Sequence, residues 1–312
     1  MQDRFERLQD EVRSSLNNLE KNLRTEINKD IGSLKTSSAV SSSKLEELDS
    51  VARGLEGIVA KMSLRKSDSA MNNEVNNSEI TNPDYSYLLL ENRFRGSEAL
   101  ITERLEHYAG IFKNSPAEVL EIGGGRGELQ KIFKKNSINS YGVDLDAAMV
   151  ERSKEDGLDV RLGNGIEHLN SLSPYSVGGV VAIQVVEHLT KAQRQDLFRL
   201  CSEKVKKGGK VVFETINPRS IVALSSNYFR DPTHVWPLHP DTLRYEMELC
   251  GLKVKEVKFL SPVSDEAKLR ILPTGEFLTP KQVELINLIN HNTQQLNELL
   301  YGYQDYCIIA ES

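Results

Sequence analysis

Two histidines are the groups in this chain best suited to moving a proton near neutral pH. They are His188 in Val-Val-Glu-His-Leu and His234 in Asp-Pro-Thr-His-Val-Trp-Pro-Leu. Asp231, just upstream of His234, is placed to orient an imidazole as a base, so the three form the candidate catalytic set. Glu187 beside His188, with Asn217, Tyr228 and Trp236 from the stretch around His234, supplies hydrogen-bonding and stacking groups for an acceptor. His239, between Leu238 and Pro240, reads as structural. A second constellation is built from glycine. Val119-Leu120-Glu121-Ile122 runs straight into Gly123, Gly124, Gly125 and Gly127, and helical spacing restarts at Leu129. Glycine belongs at a strand-to-helix turn where backbone amides approach a ligand that a Cβ would push away. The spacing Glu121-x-Gly123-x-Gly125-x-Gly127 is not the Gly-x-Gly-x-x-Gly of a dinucleotide site, because Glu128 stands where the third glycine would be. An acid heading the loop repels phosphate and suits a cationic ligand. Asp144 follows about twenty residues on, at the end of the run from Ser140, where a ribose hydroxyl pair is read.

These groups need a frame. Apolar runs at 118–122, 140–144, 158–161, 179–184 and 209–214 alternate with helical stretches, which predicts a Rossmann-like α/β fold, a parallel sheet with right-handed crossovers. The third strand leads into Leu162-Gly163-Asn164-Gly165, and Gln184 closes the fourth at the carboxyl edge where ligands bind in this architecture. A helix over 191–206, a Gly208-Gly209 turn and the strand to Glu214 come next. The polar, aromatic segment 215–240 is expected to cover an active site. A helix over 241–250, a sixth strand over 252–260, a long helix over 280–300 and a final strand from Tyr301 to Ala310 complete the chain.

Glu-Ile-Gly-Gly-Gly-Arg-Gly followed by Gly-Val-Asp-Leu-Asp resembles the class I S-adenosylmethionine-dependent methyltransferases. The resemblance implies a seven-stranded sheet with helices on both faces, its last strand inserted antiparallel, and S-adenosylmethionine as cofactor. It implies cofactor contacts from Glu121, Gly123, Gly125, Gly127, Asp144, Leu145, Gly165 and Gln184. Asn164 would accept from the adenine amino group through its side-chain carbonyl, where many relatives carry Asp, and Arg95 would face the methionine carboxylate. Arg-Phe-Arg-Gly-Ser at 93–97, Val-Val-Glu-His-Leu, Asp-Pro-Thr-His-Val-Trp-Pro-Leu and Leu-Asn-Glu-Leu-Leu-Tyr-Gly-Tyr-Gln-Asp-Tyr look narrower still. They resemble the methyltransferase module of O-antigen chain-terminating and related surface-polysaccharide enzymes, over residues 84–310. That implies methylation of the non-reducing terminal sugar, or of a phosphate on it, in a bacterial surface glycan. No kinase signature accompanies it, which favours a hydroxyl acceptor, and a hydroxyl needs a base. Glu187, His188 and His234 also resemble the metal site of certain RNA ribose methyltransferases. There the pattern is Glu-x-x-Glu-His; Gln184 replaces the first Glu and weakens a dication site, so no metal is assigned.

The methyltransferase domain is expected over 84–312, with lid helices at 84–115. Before it, Phe5, Leu8, Val12, Leu16, Leu19, Leu23 and Ile27, then Leu45, Leu48, Ala52, Leu55, Val59 and Met62, mark a coiled-coil arm over 1–62. Such a stripe must be buried against a copy, a partner or its own hairpin; a homo-oligomer is favoured over a hairpin folded onto the catalytic domain, and the arm also offers a surface for a glycosyltransferase or polymerase partner. Residues 63–83, almost without apolar side chains, read as a flexible linker. The net charge of −6 gives no nucleic-acid footprint. The Met-Gln-Asp-Arg-Phe-Glu start lacks a signal-peptide core and no run reaches the length of a membrane span, so a cytoplasmic protein, peripheral at the inner membrane through partners, is expected. Cys201, Cys250 and Cys307 are too few and scattered for a disulfide framework. Two other functions stay open: a small-molecule or RNA-end O-methyltransferase, and a scaffold recruiting a glycan polymerase with methylation secondary.

Overall fold

The four residues of β1 (Val119–Ile122) and the seven of β4 (Val177–Ile183) are buried along their whole length, as strands covered on both faces by helices must be. β1 pairs in parallel with β2 (Ser140–Asp144) on one side and with β4 on the other. β3 (Val160–Leu162) extends the sheet beyond β2, and β5 (Val205–Ile216) beyond β4. β7 (Asp305–Glu311) runs antiparallel between β5 and β6 (Lys253–Leu260), giving a seven-stranded sheet of order β3-β2-β1-β4-β5-β7-β6. These features come from a computed structural model that describes residues 98–275 and 277–312. The arm expected over 1–62, the linker over 63–83 and Arg95 lie outside the described residues. One compact unit spans Thr102–Ser312. No helix among the described residues is long and apolar enough to cross a membrane.

From β1 the chain winds outward through β2 and β3, then returns to β4 and winds the other way. The two directions part between β1 and β4, so the carboxyl ends of these strands flank a crevice. The helices that make the crossovers are capped by their own sequence. α3 (Glu128–Lys135) follows β1. α4 (Ala147–Glu155) begins where Asp146 accepts from the amides of Ala148 and Met149, and α5 (Gly165–Ser171) where Asn164 does the same for Ile166 and Glu167. α6 (Lys191–Lys204) opens on a reciprocal Thr190–Gln193 capping box. Its end falls at Lys204 instead of 206, because Val205 is already extended and starts β5. The expected Gly208-Gly209 turn is absorbed into that strand, with Gly208 at φ 79°. The last strand starts at Asp305, not at Tyr301; ahead of it the Gln304 amide bonds the Ser261 carbonyl at 3.0 Å.

One core unites Leu120, Val180, Phe198, Phe213, Leu243 and Ile308 from both sides of the sheet, with Leu243 supplied by α7 (Pro240–Leu249). Two short helices, α1 (Glu98–Leu105) and α2 (His107–Phe112), precede β1. Within the stretch read as a lid, α2 supplies fixed core side chains: Tyr108 and Phe112 are fully buried, and Phe112 meets Phe133 of α3 edge-on at 5.6 Å between ring centres.

The long helix α8 (Pro280–Leu300) forms as the sequence expects, opened by Pro280 and a Thr279–Gln282 capping box, yet none of its residues is buried. Two asparagines hold it to an extended segment instead. Asn290 accepts from the Leu272 amide at 2.8 Å and donates to the Leu272 carbonyl at 2.9 Å. Asn297 makes the same two bonds, both 2.8 Å, to Leu269. Replacing both (Asn290→Ala with Asn297→Ala) is expected to speed amide exchange at Leu269 and Leu272 at least tenfold while moving the global melting temperature by no more than about 2–4 °C; hydrogen-exchange mass spectrometry with thermal melting checks both halves.

Candidate active site

At the end of β1 the backbone turns at Gly123 with φ 72°, a conformation that costs L side chains energy. A Cβ there would lie 2.5 Å from Val185 Cγ2, so this loop and the segment leaving β4 touch only because position 123 carries no side chain. Glu121 supports the loop from within: it is buried, and its Oε2 accepts from Gln130 Nε2 at 2.8 Å, while Gln130 Oε1 accepts from Ser140 Oγ at 2.8 Å. The Gly125 amide donates to Asp144 Oδ2 at 2.9 Å, and Asp144 Oδ1 accepts from the Asp146 amide at 2.8 Å, fixing the acid at the tip of β2. Leu145 beside it is 72% exposed, an apolar side chain left uncovered just past the strand end. Gly165 packs so closely that a Cβ would lie 2.4 Å from Ile122 Cγ2. Two expected cofactor groups are used differently. The Asn164 side-chain carbonyl is spent on capping α5, at 2.9 Å from the Ile166 amide, which corrects its expected role as acceptor for adenine. Gln184, held at φ 56°, turns its Nε2 to Asp305 Oδ1 (3.1 Å) and Glu214 Oε1 (3.3 Å), away from a cofactor role.

The expected catalytic residues converge although they come from separate segments. Val186–His188 is a short 3₁₀ turn after β4, and the loop after β5 closes over it, with the Val235 amide bonded to the Glu187 carbonyl at 2.8 Å. The His188 and His234 rings meet edge-on at 4.6 Å. His234 Nδ1 lies 2.7 Å from the Tyr228 carbonyl, which can only accept; Nδ1 therefore carries the proton and Nε2 the lone pair. The Thr233 hydroxyl donates to Asp231 Oδ1 at 2.6 Å and so accepts from His188 Nδ1 at 2.9 Å, leaving the lone pair of His188 also on Nε2. Thr233 was not among the expected site residues, and nothing in its spacing marks it as the connector between a histidine and an acid far apart in sequence.

Glu187 is completely buried, and neither of its carboxylate oxygens meets a donor at hydrogen-bonding geometry among the described residues. Its carboxylate, His188 and His234 offer ligand-type atoms all within 4.8 Å of one another. Burial drives the Glu187 carboxyl up to about 8, tempered by its own amide and the Thr215 hydroxyl and reinforced by Asp305 and Glu214. Burial, then the neighbouring His234, lowers His188 below the ordinary imidazole range. Burial alone would raise Asp231, but the Thr233 hydroxyl and amide outweigh it and hold the acid low. Tyr228 stacks on His234 at 4.6 Å, and its phenol is pushed up to about 12 by burial and then by the Glu187 charge. Trp236, 66% exposed, stands on the outside of the loop. Asn217 is corrected from its expected acceptor role: it is buried, donating to the Tyr303 carbonyl at 2.8 Å and accepting from the Arg219 amide at 3.1 Å.

Behind the site lies a group of charges that the sequence did not single out. Glu214 accepts a short hydrogen bond from Tyr108, and Arg104 reaches both Glu214 (3.5 Å) and Asp305 (3.3 Å).

The methyltransferase domain family matches residues 90–257, more than half of the chain. A SAM-dependent methyltransferase from Archaeoglobus fulgidus is 37% identical, over 73% of this chain and 100% of that one, with a TM-score of 0.67. A polyamine aminopropyltransferase from Shouchella clausii (strain KSM-K16) is 26% identical over 155 residues, 45% of this chain and 56% of that protein, so the chain spans little more than half its length. The chain belongs to the methyltransferase domain family, and within it to the class I S-adenosylmethionine-dependent enzymes. Its cofactor is S-adenosylmethionine.

Burial raises Asp305 to about 6, with Glu214 adding to the shift and Arg104 opposing it. A carboxyl raised on folding contributes stability that is complete below its unfolded value near pH 4 and is lost as pH climbs through about 6. Asp305→Asn is therefore expected to gain on the native protein by on the order of 2 kcal/mol between pH 4 and pH 7.5, read from urea midpoints at the two pH values.

Proposed function

We propose that this methyltransferase transfers the methyl group of S-adenosylmethionine to an oxygen at the end of a bacterial surface glycan, capping the non-reducing sugar and ending chain growth. The residues of the β1–β4 crevice fit the cofactor. A loop without side chains at 123–125 admits backbone amides to its amino-acid end, Asp144 at the tip of β2 faces the ribose hydroxyls, and exposed Leu145 offers an apolar edge for the adenine. Gly127 and Gly165 shape the same wall, with the acid of Glu121 beneath it. The cofactor supplies an electrophilic methyl on a sulfonium; the chain's task is to hold an acceptor in line and remove its proton.

One observation carries the assignment of an oxygen acceptor: two imidazoles with their lone pairs fixed on Nε2 stand beside the loop that Val185 ties to Gly123. A hydroxyl needs that help, since it is a weak acid; a phosphate, already anionic, does not. In transfer, the acceptor proton leaves to the His188–His234–Asp231 group as the oxygen forms its bond to carbon and the sulfur–carbon bond breaks, yielding S-adenosylhomocysteine. Exposed Phe229 and Trp236 on the same loop offer flat faces for a sugar ring. The O-antigen-type motifs at 185–189 and 231–238 support the glycan class, and an arm at 1–62 would join copies of the chain or recruit a polymerase.

Calorimetry with S-adenosylhomocysteine, followed by methyl transfer to short glycans with and without a terminal phosphate and to a polyamine, tests this. Tight binding, weakened at least tenfold by Asp144→Ala, and transfer to the unphosphorylated glycan are expected. Transfer to the polyamine alone would overturn the acceptor class.

A further inference from the structure

We propose that Glu187, His188 and His234 together bind one divalent first-row transition cation, through a Glu187 oxygen and the Nε2 atoms of both imidazoles. Three independent observations converge on the same small volume. The ligand-type atoms of the three residues lie within 4.8 Å of one another, close enough for one ion to reach all of them. Glu187 is fully buried and neither oxygen meets a donor at hydrogen-bonding geometry among the described residues, its own amide and the Thr215 hydroxyl only tempering the cost. A buried carboxylate in that condition is costly, and a cation is the partner that offsets the cost. Both histidines, finally, are held through Nδ1 by an acceptor: the Tyr228 carbonyl at 2.7 Å for His234, and the Thr233 hydroxyl, itself bonded to Asp231, for His188. Anchoring one ring nitrogen to a carbonyl or to an acid-linked hydroxyl is how metal-ligating imidazoles are oriented and made more basic.

Gln184 does not disturb the set. Its amide faces Glu214 and Asp305, so the carboxylate that it lacks would not have completed this site from where it points. Two nitrogens and one oxygen suit Zn²⁺, Co²⁺, Fe²⁺ or Mn²⁺ better than Mg²⁺ or Ca²⁺, which take oxygen ligands. Three protein ligands leave a coordination position for an acceptor oxygen. The inference deepens the proposed oxygen transfer and rests on it for its purpose. A hydroxyl on the cation becomes acidic enough to lose its proton near neutral pH. Because both Nε2 lone pairs are then spent on the cation, Asp231 alone of the His188–His234–Asp231 group takes the proton, its Oδ2 lying 3.9 Å from His234 Nε2, while the oxygen takes the methyl group and the sulfonium leaves as the thioether.

The test uses the full chain without a polyhistidine tag, stripped with a chelator and titrated with Zn²⁺ by calorimetry and with Co²⁺ by visible absorption. One cation per chain is expected, with ligand-field bands from Co²⁺ and a 10–100-fold loss of affinity in Glu187→Gln and in His234→Ala. Thr233→Ala, which touches no cation, should weaken binding less, and it keeps the test informative if a ligand variant does not fold. Absence of saturable binding, or equal binding by a folded His188→Ala/His234→Ala double variant, would overturn the proposal. S-adenosylhomocysteine binding on the same stripped sample separates the two ideas: binding there without cation binding sinks the cation site alone, and cation binding without it supports the site and sinks the cofactor crevice.

Discussion

Parallel pairing of β1 with β4 is the constraint on which everything else here depends. Both strands are buried on both faces, so neither can carry the chemistry along its length. Chemistry is driven to their carboxyl ends, where the chain has to change direction and where the crossovers diverge. The turn after β1 and the turn after β4 then compete for the same space. Glycine at 123 resolves that competition in favour of Val185, two residues ahead of the Glu187–His188 pair. Cofactor crevice and acceptor residues are neighbours because two strands share one hydrogen-bonded edge.

Around that edge the fold tolerates a concentration of buried acids that would be ruinous if all were charged together. Glu187, Glu214 and Asp305 each raise or are raised by one another, and they are managed differently. Glu214 receives Tyr108 and Arg104, Asp305 receives Arg104 and Gln184, and Glu187 has no donor at hydrogen-bonding geometry among the described residues, only the weaker pull of its own amide and the Thr215 hydroxyl. The first two are structural, joining α1, α2, β5 and β7 behind the sheet tip. The third faces the two imidazoles. Polar groups kept without local partners are the usual mark of a place where a ligand completes the set.

The sheet was legible because its signals are local. Short apolar runs punctuated by Gly and Asp placed five of the seven strands closely, with β5 and β7 misjudged by four residues at their starts. His188 was legible as a site residue because it sits just past the end of β4, and His234 because it lies in the long polar loop that follows β5 at the same edge of the sheet. What the sequence hid were side-chain commitments settled across long separations. Asn164 looked free to meet an adenine, but the helix beginning at Gly165 needed its oxygen first. Gln184 finds its partners on β5 and β7, and Asn217 finds one at Tyr303. Thr233 gains meaning only once His188 stands next to it. Helical periodicity likewise gave the extent of α8 but not its exposure, because an apolar stripe reports what a helix can bury and not whether anything covers it.

The clamp on α8 carries a geometric consequence of its own. Asn290 and Asn297 stand two helical turns apart, ~10.5 Å along the axis, and the residues they hold are three steps apart on an extended segment, ~10 Å. Two rulers of different pitch are thus matched like a vernier. One residue added to the helix between the asparagines swings the second amide about 100° around the axis. One added to the segment presents the wrong side of its backbone. Growth or shrinkage of this arm is therefore quantised: helix and segment change length together, by about seven residues against three, or the scales fall out of step.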